Sequence, residues 1–229
     1  MIKITNKKTK NALILSYICF SILLFAVILI IPASREVFKK LSSERAILMG
    51  FVKFALLATA GELIAVAIVK GELDVPVKIV FRFLIWGLIG MWITLMMKVF
   101  SSASSYLMGI GFLPGGDSTF LRALYTSVLM NTTFGPTFMA VHKITDKILE
   151  LKADKKVVNL DNIVNGINWK SFFGFTIAKT VPLFWIPAHT VTFMLPSEYQ
   201  VMMAAGLSVA LGIILSLGNR KKVSKEKED

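Results

Sequence analysis

Long uncharged segments divide this sequence. No Asp, Glu, Lys or Arg occurs in the apolar segments 11–34, 83–97, 123–141 and 199–219. Two further apolar stretches each surround a single charge, Glu62 in one and Lys179 in the other. A helix of about 20 apolar residues crosses the ~30 Å hydrocarbon core of a bilayer and satisfies its own backbone polar groups there. The pattern therefore predicts an all-α, polytopic transmembrane helix bundle.

The composition excludes several other classes of protein. Of the 229 residues, 55% are hydrophobic and 17% are charged, whereas about 25% are charged in a typical soluble domain. The net charge is +12, but the basic residues flank the apolar segments and do not form one patch. That placement is typical of membrane orientation and not of a nucleic-acid interface, so we expect no nucleic-acid partner. Because Cys19 is the only cysteine, a disulfide framework and a cysteine metal cluster are excluded.

Six spans are predicted from the apolar segments. The count becomes five if the first segment is removed or peripheral, and seven if the fifth is split at its prolines. We expect one integral membrane domain, in which residues 1–47 hold the N-terminal tail, first span and loop, 48–218 form the core bundle and 219–229 form a charged cytoplasmic tail. The predicted spans are residues 11–32, 48–69, 79–98, 120–142, 170–195 and 199–218.

The flanking charges predict an orientation. Most of the 26 Lys and Arg residues fall on one side when the N-terminus is placed inside, so the positive-inside rule puts both termini in the cytoplasm. Residues 101–118 contain no Lys or Arg and are rich in Ser and Gly, which predicts a flexible or re-entrant external segment. Residues 143–156 have apolar side chains on one helical stripe, which predicts a helix that either extends the fourth span into the cytoplasm or lies on the membrane surface. Because no organelle-targeting segment is found, we expect a bacterial plasma membrane.

Glu62 is an intramembrane acid. An ionisable residue at the centre of a span costs about 2.5–3.5 kcal/mol on insertion scales, so it needs a partner or a function. Gly61 and Ala65 form a small-xxx-small pair beside it, which favours a position inside the bundle. Two interpretations stay open for Glu62: a contact with an ion, proton or substrate, or a structural ion pair. Lys179 in the fifth span is the partner expected from sequence.

Proline and polar residues mark the fourth and fifth predicted spans. Pro182 and Pro187 interrupt the fifth span beside His189, and transporters use such broken helices at binding sites. In the fourth span, the polar residues Asn131 and His142 flank a third expected kink at Pro136. The pathway or binding residues predicted from sequence are therefore Glu62, Lys179, His189, Asn131 and His142.

Neither a metal site nor an enzyme is predicted. The two histidines lack a helical ligand pair and clustered acids, so no metal or other cofactor is expected. No nucleophile elbow, zinc-protease motif or phosphate-binding loop occurs, and no catalytic residue is assigned. The expected partners are the lipid bilayer and a small solute or ion, and a homo-oligomer is left open.

Short motifs from the second span onward resemble the Mpv/peroxisomal-membrane-protein family, of which the chain would be a divergent bacterial-type member. The residues that carry the resemblance are Gly61-Glu62, Arg82 with Gly87, Asn131 with Phe134 and Pro136, Asn168-Trp169, Val181-Pro182 and Leu215-Ser216. The chain departs from the family pattern at Met130, where the family has an acid. The resemblance implies a channel-like role and a four-helix plan, to which the first span would be an addition.

Two functions from different classes follow. The first is a membrane channel or carrier for small solutes or ions, with a pathway lined by Glu62 and the proline-broken helix. The alternative is a non-transporting membrane scaffold or interaction protein, in which the same polar residues only lock helices together.

Overall fold

The computed structural model describes residues 7–76 and 78–225, with side chains through residue 217. The predicted tail 219–229 lies outside the described side chains. The part of the chain that the structure describes is all-helical, which confirms the all-α part of the prediction, whereas the predicted count of six spans is not confirmed. In chain order the α-helices are α1 (Lys7–Ile30), α2 (Pro32–Glu44), α3 (Ala46–Lys70), α4 (Ile79–Gly109), α5 (Thr119–Leu129), α6 (Gly135–Ala153), α7 (Leu160–Asn165), α8 (Trp169–Ser171), α9 (Ile186–Met194) and α10 (Ser197–Lys225).

Four helices are long and apolar enough to cross a membrane. They are α1, α3, α4 and the Ser197–Leu217 part of α10. They correspond to the first, second, third and sixth predicted spans. Their outer surfaces expose large apolar side chains, among them Phe20 (57% exposed) and Leu88 (60% exposed). Continuous apolar surface of this kind is unusual on a water-soluble monomer and is compatible with contact to lipid.

Proline and glycine set the ends of the early helices. Pro32 begins α2 after the extended residue Ile31, so the chain breaks direction between α1 and α2. Gly71 ends α3 in a left-handed conformation with φ 71°, which glycine adopts without a steric penalty. No proline or glycine interrupts the serine-rich segment that follows the apolar part of α4, so α4 continues to Gly109. Of the segment predicted at 101–118, residues 101–109 extend α4, so the flexible alternative was wrong for them.

Two π-helical segments divide the remaining predicted spans. The first, Met130–Phe134, joins α5 to α6, and the second, Phe172–Trp185, joins α8 to α9. Pro136 and Pro187 lie in the first turns of α6 and α9, directly after the two π segments, where each proline lacks the N–H that would continue the backbone hydrogen bonds of the preceding segment. Pro182 lies inside the second π segment. Each π segment and the two helices that it joins are called a rod: the first rod spans Thr119–Ala153 and the second spans Trp169–Met194. The first rod continues as a helix to Ala153, as predicted for residues 143–156.

Glycines bring α3 into close contact with its neighbours. A Cβ added at Gly90 of α4 would lie 2.3 Å from the carbonyl oxygen of Gly50 in α3, so the two backbones touch there. A Cβ at Gly61 would lie 2.9 Å from a methyl carbon of Val209 in α10. The small-residue face predicted around Gly61 is therefore a helix contact. The contacts place α3 between α4 and α10.

Polar contacts hold α1 against this core. The Tyr17 hydroxyl of α1 donates to the carbonyl oxygens of Ala55 (3.3 Å) and Leu56 (3.2 Å) in α3. In the turn after α3, Asp74 pairs with Lys10 of α1 and with Lys70. These two ammonium groups hold the pKa of the Asp74 carboxyl below its usual range.

A buried lysine marks the other end of the core. Lys53 of α3 is 2% exposed and donates to the Ser42 hydroxyl of α2 and to the Glu198 carbonyl oxygen of α10, both at 2.9 Å. Its ammonium also lies 4.5 Å from the centre of the Phe38 ring. Lys53 therefore joins the first turn of α10 to α2 and α3, at the end of α3 opposite Gly71.

Candidate functional site

A three-helix charge cluster surrounds Arg82. The Arg82 guanidinium of α4 donates to Glu62 Oε1 of α3 at 3.0 Å and to Asp146 Oδ1 of α6 at 2.7 Å. The side chains of Arg82 and Glu62 are 11% and 18% exposed. One cation thus holds carboxylates from two other helices in a mostly buried position.

The α3–α4 hairpin explains why Arg82 reaches Glu62. Glu62 lies eight residues before the end of α3, about 12 Å along its axis, and Arg82 lies three residues after the start of α4, about 4.5 Å along. A long arginine side chain covers the difference in depth between these antiparallel neighbours. The expected Glu62–Lys179 pair was wrong, because Lys179 is exposed in the second π segment and forms no ion pair with a described residue.

His142 belongs to the same cluster. Its Nε2 lies 3.5 Å from Asp146 Oδ2, one helical turn along α6, and its ring centre lies 4.3 Å from that of Trp86. The Trp86 indole nitrogen is buried and has no hydrogen-bond partner among the described residues. Within the described part of the chain, Glu62 Oε2 and His142 Nδ1 are also buried without a hydrogen-bond partner. The charge cluster (Glu62, Arg82, His142, Asp146) therefore keeps unused hydrogen-bonding capacity.

The cluster contains ligand types that metals use. One atom from each of Glu62, His142 and Asp146 lies within 4.8 Å of the others. However, the Arg82 guanidinium contacts both carboxylates and already supplies a positive charge to them. The arrangement therefore favours an ion-pair network, and the expectation that the protein binds no metal stays a prediction.

Asn131 and His189 form a second polar site in the middle of the two rods. His189 Nδ1 of α9 lies 3.1 Å from Asn131 Oδ1 of the first π segment. The Asn131 amide nitrogen donates to the carbonyl oxygen of Ser127 at 2.8 Å, and the Ser127 hydroxyl donates to the Ile186 carbonyl oxygen at 2.7 Å. This chain of hydrogen bonds joins the two π-interrupted rods and fixes the direction in which the Asn131 oxygen points.

A narrow cavity of about 30 Å³ lies beside this pair. Its wall is predominantly apolar and aromatic, with polar groups at Asn131, His189 and Ser208. The two π segments both contribute, since Met130 and Phe134 belong to the first and Trp185 ends the second. The aromatic members of the wall are Phe54, Phe134, Phe138 and Trp185.

Aromatic rings separate the cavity from the charge cluster. The Trp86 ring lies 6.5 Å from that of Phe54, which lines the cavity, and 4.3 Å from that of His142 in the charge cluster. A solute that moved between the two sites would therefore have to displace this Trp86–Phe54 layer.

The structure sorts the residues predicted from sequence into two sites. Asn131 and His189 meet at the cavity, Glu62 and His142 meet in the charge cluster, and Lys179 joins neither. Sequence reasoning missed Arg82 as the partner of Glu62 and did not consider Asp146. Two signals were available: the matching depths of Glu62 and Arg82 in a hairpin, and the i, i+4 spacing of His142 and Asp146.

Comparisons with protein-family models, curated proteins and solved structures return no match for this chain.

Proposed function

We propose that the protein is a membrane channel or carrier for small solutes or ions. The cavity beside Asn131 and His189 would hold the solute, and the charge cluster would form the gate at one end. The observation that carries the proposal is a cavity with unsatisfied polar capacity between two π-interrupted helices. Membrane proteins tolerate irregular helices where they line a cavity, and π segments are frequent at functional sites.

The proposal includes six membrane crossings. Asp146 in the second half of α6 contacts Arg82 near the start of α4, so the Ala153 end of the first rod lies beside the turn between α3 and α4. The rod begins at Thr119, after the opposite end of α4. The hydrogen bonds to α9 then align the second rod beside the first. Both rods thus run through the bundle and would cross the membrane with the four long helices.

The charge cluster has the form of a gate. Arg82 fixes α3, α4 and α6 to one another, so separating these helices requires breaking its bonds to Glu62 or Asp146. A change in charge at Glu62 would weaken one of these bonds without removing the side chain. Both termini would be cytoplasmic, in a bacterial plasma membrane, as the flanking charges predict. Membership in the Mpv/peroxisomal-membrane-protein family is part of this proposal and carries the same expectation of a channel-like role.

Flux through purified protein in liposomes tests the function. We expect wild-type protein to increase the flux of at least one compound in a panel of ions and small neutral metabolites, and Glu62→Gln to change that flux by more than twofold. Glu36→Gln, which removes an exposed acid from α2, is the matched control and should leave flux unchanged. Absence of flux across the panel, from protein that retains its helical content, would support the scaffold alternative.

A further inference from the structure

We propose that the α6–α8 loop (residues 154–168) docks on the surface of the bilayer, where its apolar side chains enter the headgroup region and the lysines beside them pair with anionic phospholipids. The inference goes beyond the proposed function, because it concerns how the protein recognises its membrane and does not depend on transport. It starts from α7, a helix in which no residue is buried although three of its six residues are apolar.

The apolar side chains of the α6–α8 loop are turned outward. Leu160 is 74% exposed and Val157 is 69% exposed. Val164 is also exposed and lies one helical turn after Leu160, so both belong to one face of α7. Exposed apolar side chains this close to one another are typical of a surface that contacts lipid or another protein.

Hydrogen bonds within the α6–α8 loop hold these side chains outward. The Asn159 side-chain oxygen accepts from the backbone N–H of Asn162 at 2.8 Å, and the Asn162 amide nitrogen donates to the Val157 carbonyl oxygen at 2.8 Å. The Trp169 indole N–H donates to the Val164 carbonyl oxygen at 2.9 Å and ties the end of α7 to the start of the second rod. The loop thus has a defined conformation, which leaves its apolar side chains uncovered by the described part of the chain.

The position of the α6–α8 loop along the bundle places it at the membrane surface. A Cβ added at Gly166 would lie 2.9 Å from Lys147 Cδ, so the loop packs against a side chain of α6. Lys147 follows Asp146, which bonds to Arg82 near the start of α4. Gly166 is therefore level with the start of α4, where a membrane-crossing helix leaves the hydrocarbon for the headgroup region. Trp169, three residues further on, is a residue type that is enriched at this depth.

The charges beside the apolar face select the kind of lipid. Residues 152–170 contain four lysines and two aspartates, and Asp154 pairs with Lys156. The exposed lysines that form no ion pair with a described residue are Lys152, Lys155 and Lys170. Clusters of lysine beside the end of a membrane helix attract anionic lipids. A protein partner would need an acidic surface at the same depth, whereas anionic phospholipid supplies negative charge there throughout the membrane. Charge and depth together therefore favour phospholipid.

Quenching of a fluorophore on α7 tests the docking. A bimane label is attached to Leu160→Cys or, on the same face, to Val164→Cys, each in a Cys19→Ser background and in lipid nanodiscs. Two nanodisc preparations contain the same phosphatidylglycerol and phosphatidylcholine, with bromine on the acyl chains of phosphatidylglycerol in one and of an equal amount of phosphatidylcholine in the other. We expect both preparations to quench the label, and brominated phosphatidylglycerol to quench it more than about twofold more strongly.

The lysine-free segment at the other end of the bundle supplies a matched label position. Phe112 is 74% exposed in residues 101–118, which contain no Lys or Arg. A label at Phe112→Cys should therefore be quenched equally by the two preparations.

Charge variants test the part played by the lysines. Lys152→Gln, Lys155→Gln and Lys170→Gln combined should abolish the preference for phosphatidylglycerol at the α7 labels. The control removes the same charge from exposed residues at the opposite end of the bundle, by Lys40→Gln, Lys98→Gln and Arg122→Gln, and should leave the preference unchanged.

Two results would overturn the inference. Equal quenching of the α7 labels by the two preparations would show that anionic headgroups are not selected. Absence of quenching by either would show that the α6–α8 loop stands clear of the bilayer, as expected if another protein covers it. A preference for phosphatidylglycerol without flux in liposomes would count against the proposed function alone, whereas flux without the preference would count against the lipid docking alone.

Discussion

At the residue scale, Arg82 balances two carboxylates that the fold places in a low-dielectric interior. Removing one member of a buried ion pair is strongly destabilising because the remaining charges lose their compensation. We expect Arg82→Met to lower the free energy of unfolding by about 3–5 kcal/mol, measured by SDS-induced unfolding in detergent. Arg122→Met removes an exposed arginine at the start of α5 and should change it by less than about 0.5 kcal/mol.

A triple variant separates charge balance from packing at the same position. Arg82→Met combined with Glu62→Gln and Asp146→Asn leaves no uncompensated carboxylate, so we expect it to recover most of the lost stability. A cost below about 1 kcal/mol for Arg82→Met alone would show that the ion pairs do not hold the three helices together.

Lys179 provides a second test at this scale. Its exposed side chain makes no ion pair with Glu62, so Glu62→Gln and Lys179→Met should be additive in free energy of unfolding within about 0.5 kcal/mol. A double-mutant cycle measured in the same unfolding assay checks this. Recovery of stability in the double variant would reinstate the pair that sequence predicts.

The reason that sequence misled about Lys179 is physical. Lys179 was predicted as the partner from its depth alone, about ten residues into the fifth predicted span, and depth does not determine which face of a helix carries a residue. In the π segment Phe172–Trp185 the hydrogen bonds span one more residue than in an α-helix, so a regular α-helical count would not place the faces correctly either. Glu62 lies in the regular helix α3, and there the predicted inward face was correct.

At the element scale, the crossing of α3 and α4 depends on the absence of side chains. A Cβ at position 90 would lie 2.3 Å from the Gly50 carbonyl oxygen and 2.6 Å from the Phe54 Cβ, so the helices would have to separate. We expect Gly90→Ala to lower the free energy of unfolding by about 1–3 kcal/mol, despite the better helix propensity of alanine. Gly109→Ala, at the open end of the same helix, should not be destabilising.

The docking of α1 depends on the turn after α3. Asp74 pairs with Lys10 and Lys70, and its carboxyl has a folded-state pKa below the ordinary value of about 3.9. A lowered pKa gives stability that is present above the unfolded-state value and lost as the pH falls through the folded-state value. We therefore expect α1 to stay docked from neutral pH to about pH 4 and to loosen only in stronger acid.

Asp74→Asn should loosen α1 already at neutral pH. Cys19, the only cysteine, is exposed on α1, so a nitroxide attached there reports the mobility of this helix by electron paramagnetic resonance. Glu36→Gln breaks a comparable surface pair with Lys39 in α2 and is the control. Equal mobility of the label in both variants would show that the turn does not hold α1.

The uncharged segments predicted the long helices correctly, since continuous apolar sequence of sufficient length requires a regular helix in a bilayer. The π segments were not predictable in the same way. Apolar residues occupy all faces of the fifth predicted span, so no periodicity distinguishes α from π there. The prolines marked the region of the break, but Pro136 and Pro187 begin regular helices and only Pro182 lies inside an irregular one.

At the scale of the whole molecule, polar contacts between distant parts of the chain define two ends of the bundle. Lys53 brings the start of α10 to α2 and to the early part of α3, whereas Arg82 brings α6 to the late part of α3. The rod Thr119–Ala153 therefore runs antiparallel to α4. The basic segment that follows Ala153 comes to the same end as Lys70 and Lys78, which the positive-inside rule assigns to the cytoplasm.

The side on which residues 154–159 lie separates six crossings from four. With six, both rods cross and this segment is cytoplasmic; with four, everything between α4 and α10 is external. Single cysteines introduced into a Cys19→Ser background, at Asp117→Cys or Lys156→Cys, can be labelled in intact cells with a membrane-impermeant maleimide. We expect labelling at position 117 in intact cells and at position 156 only after lysis. Labelling of both in intact cells would mean four crossings, and the reverse pattern would mean that the N-terminus is external and that the basic residues of the α2 region outweigh the others.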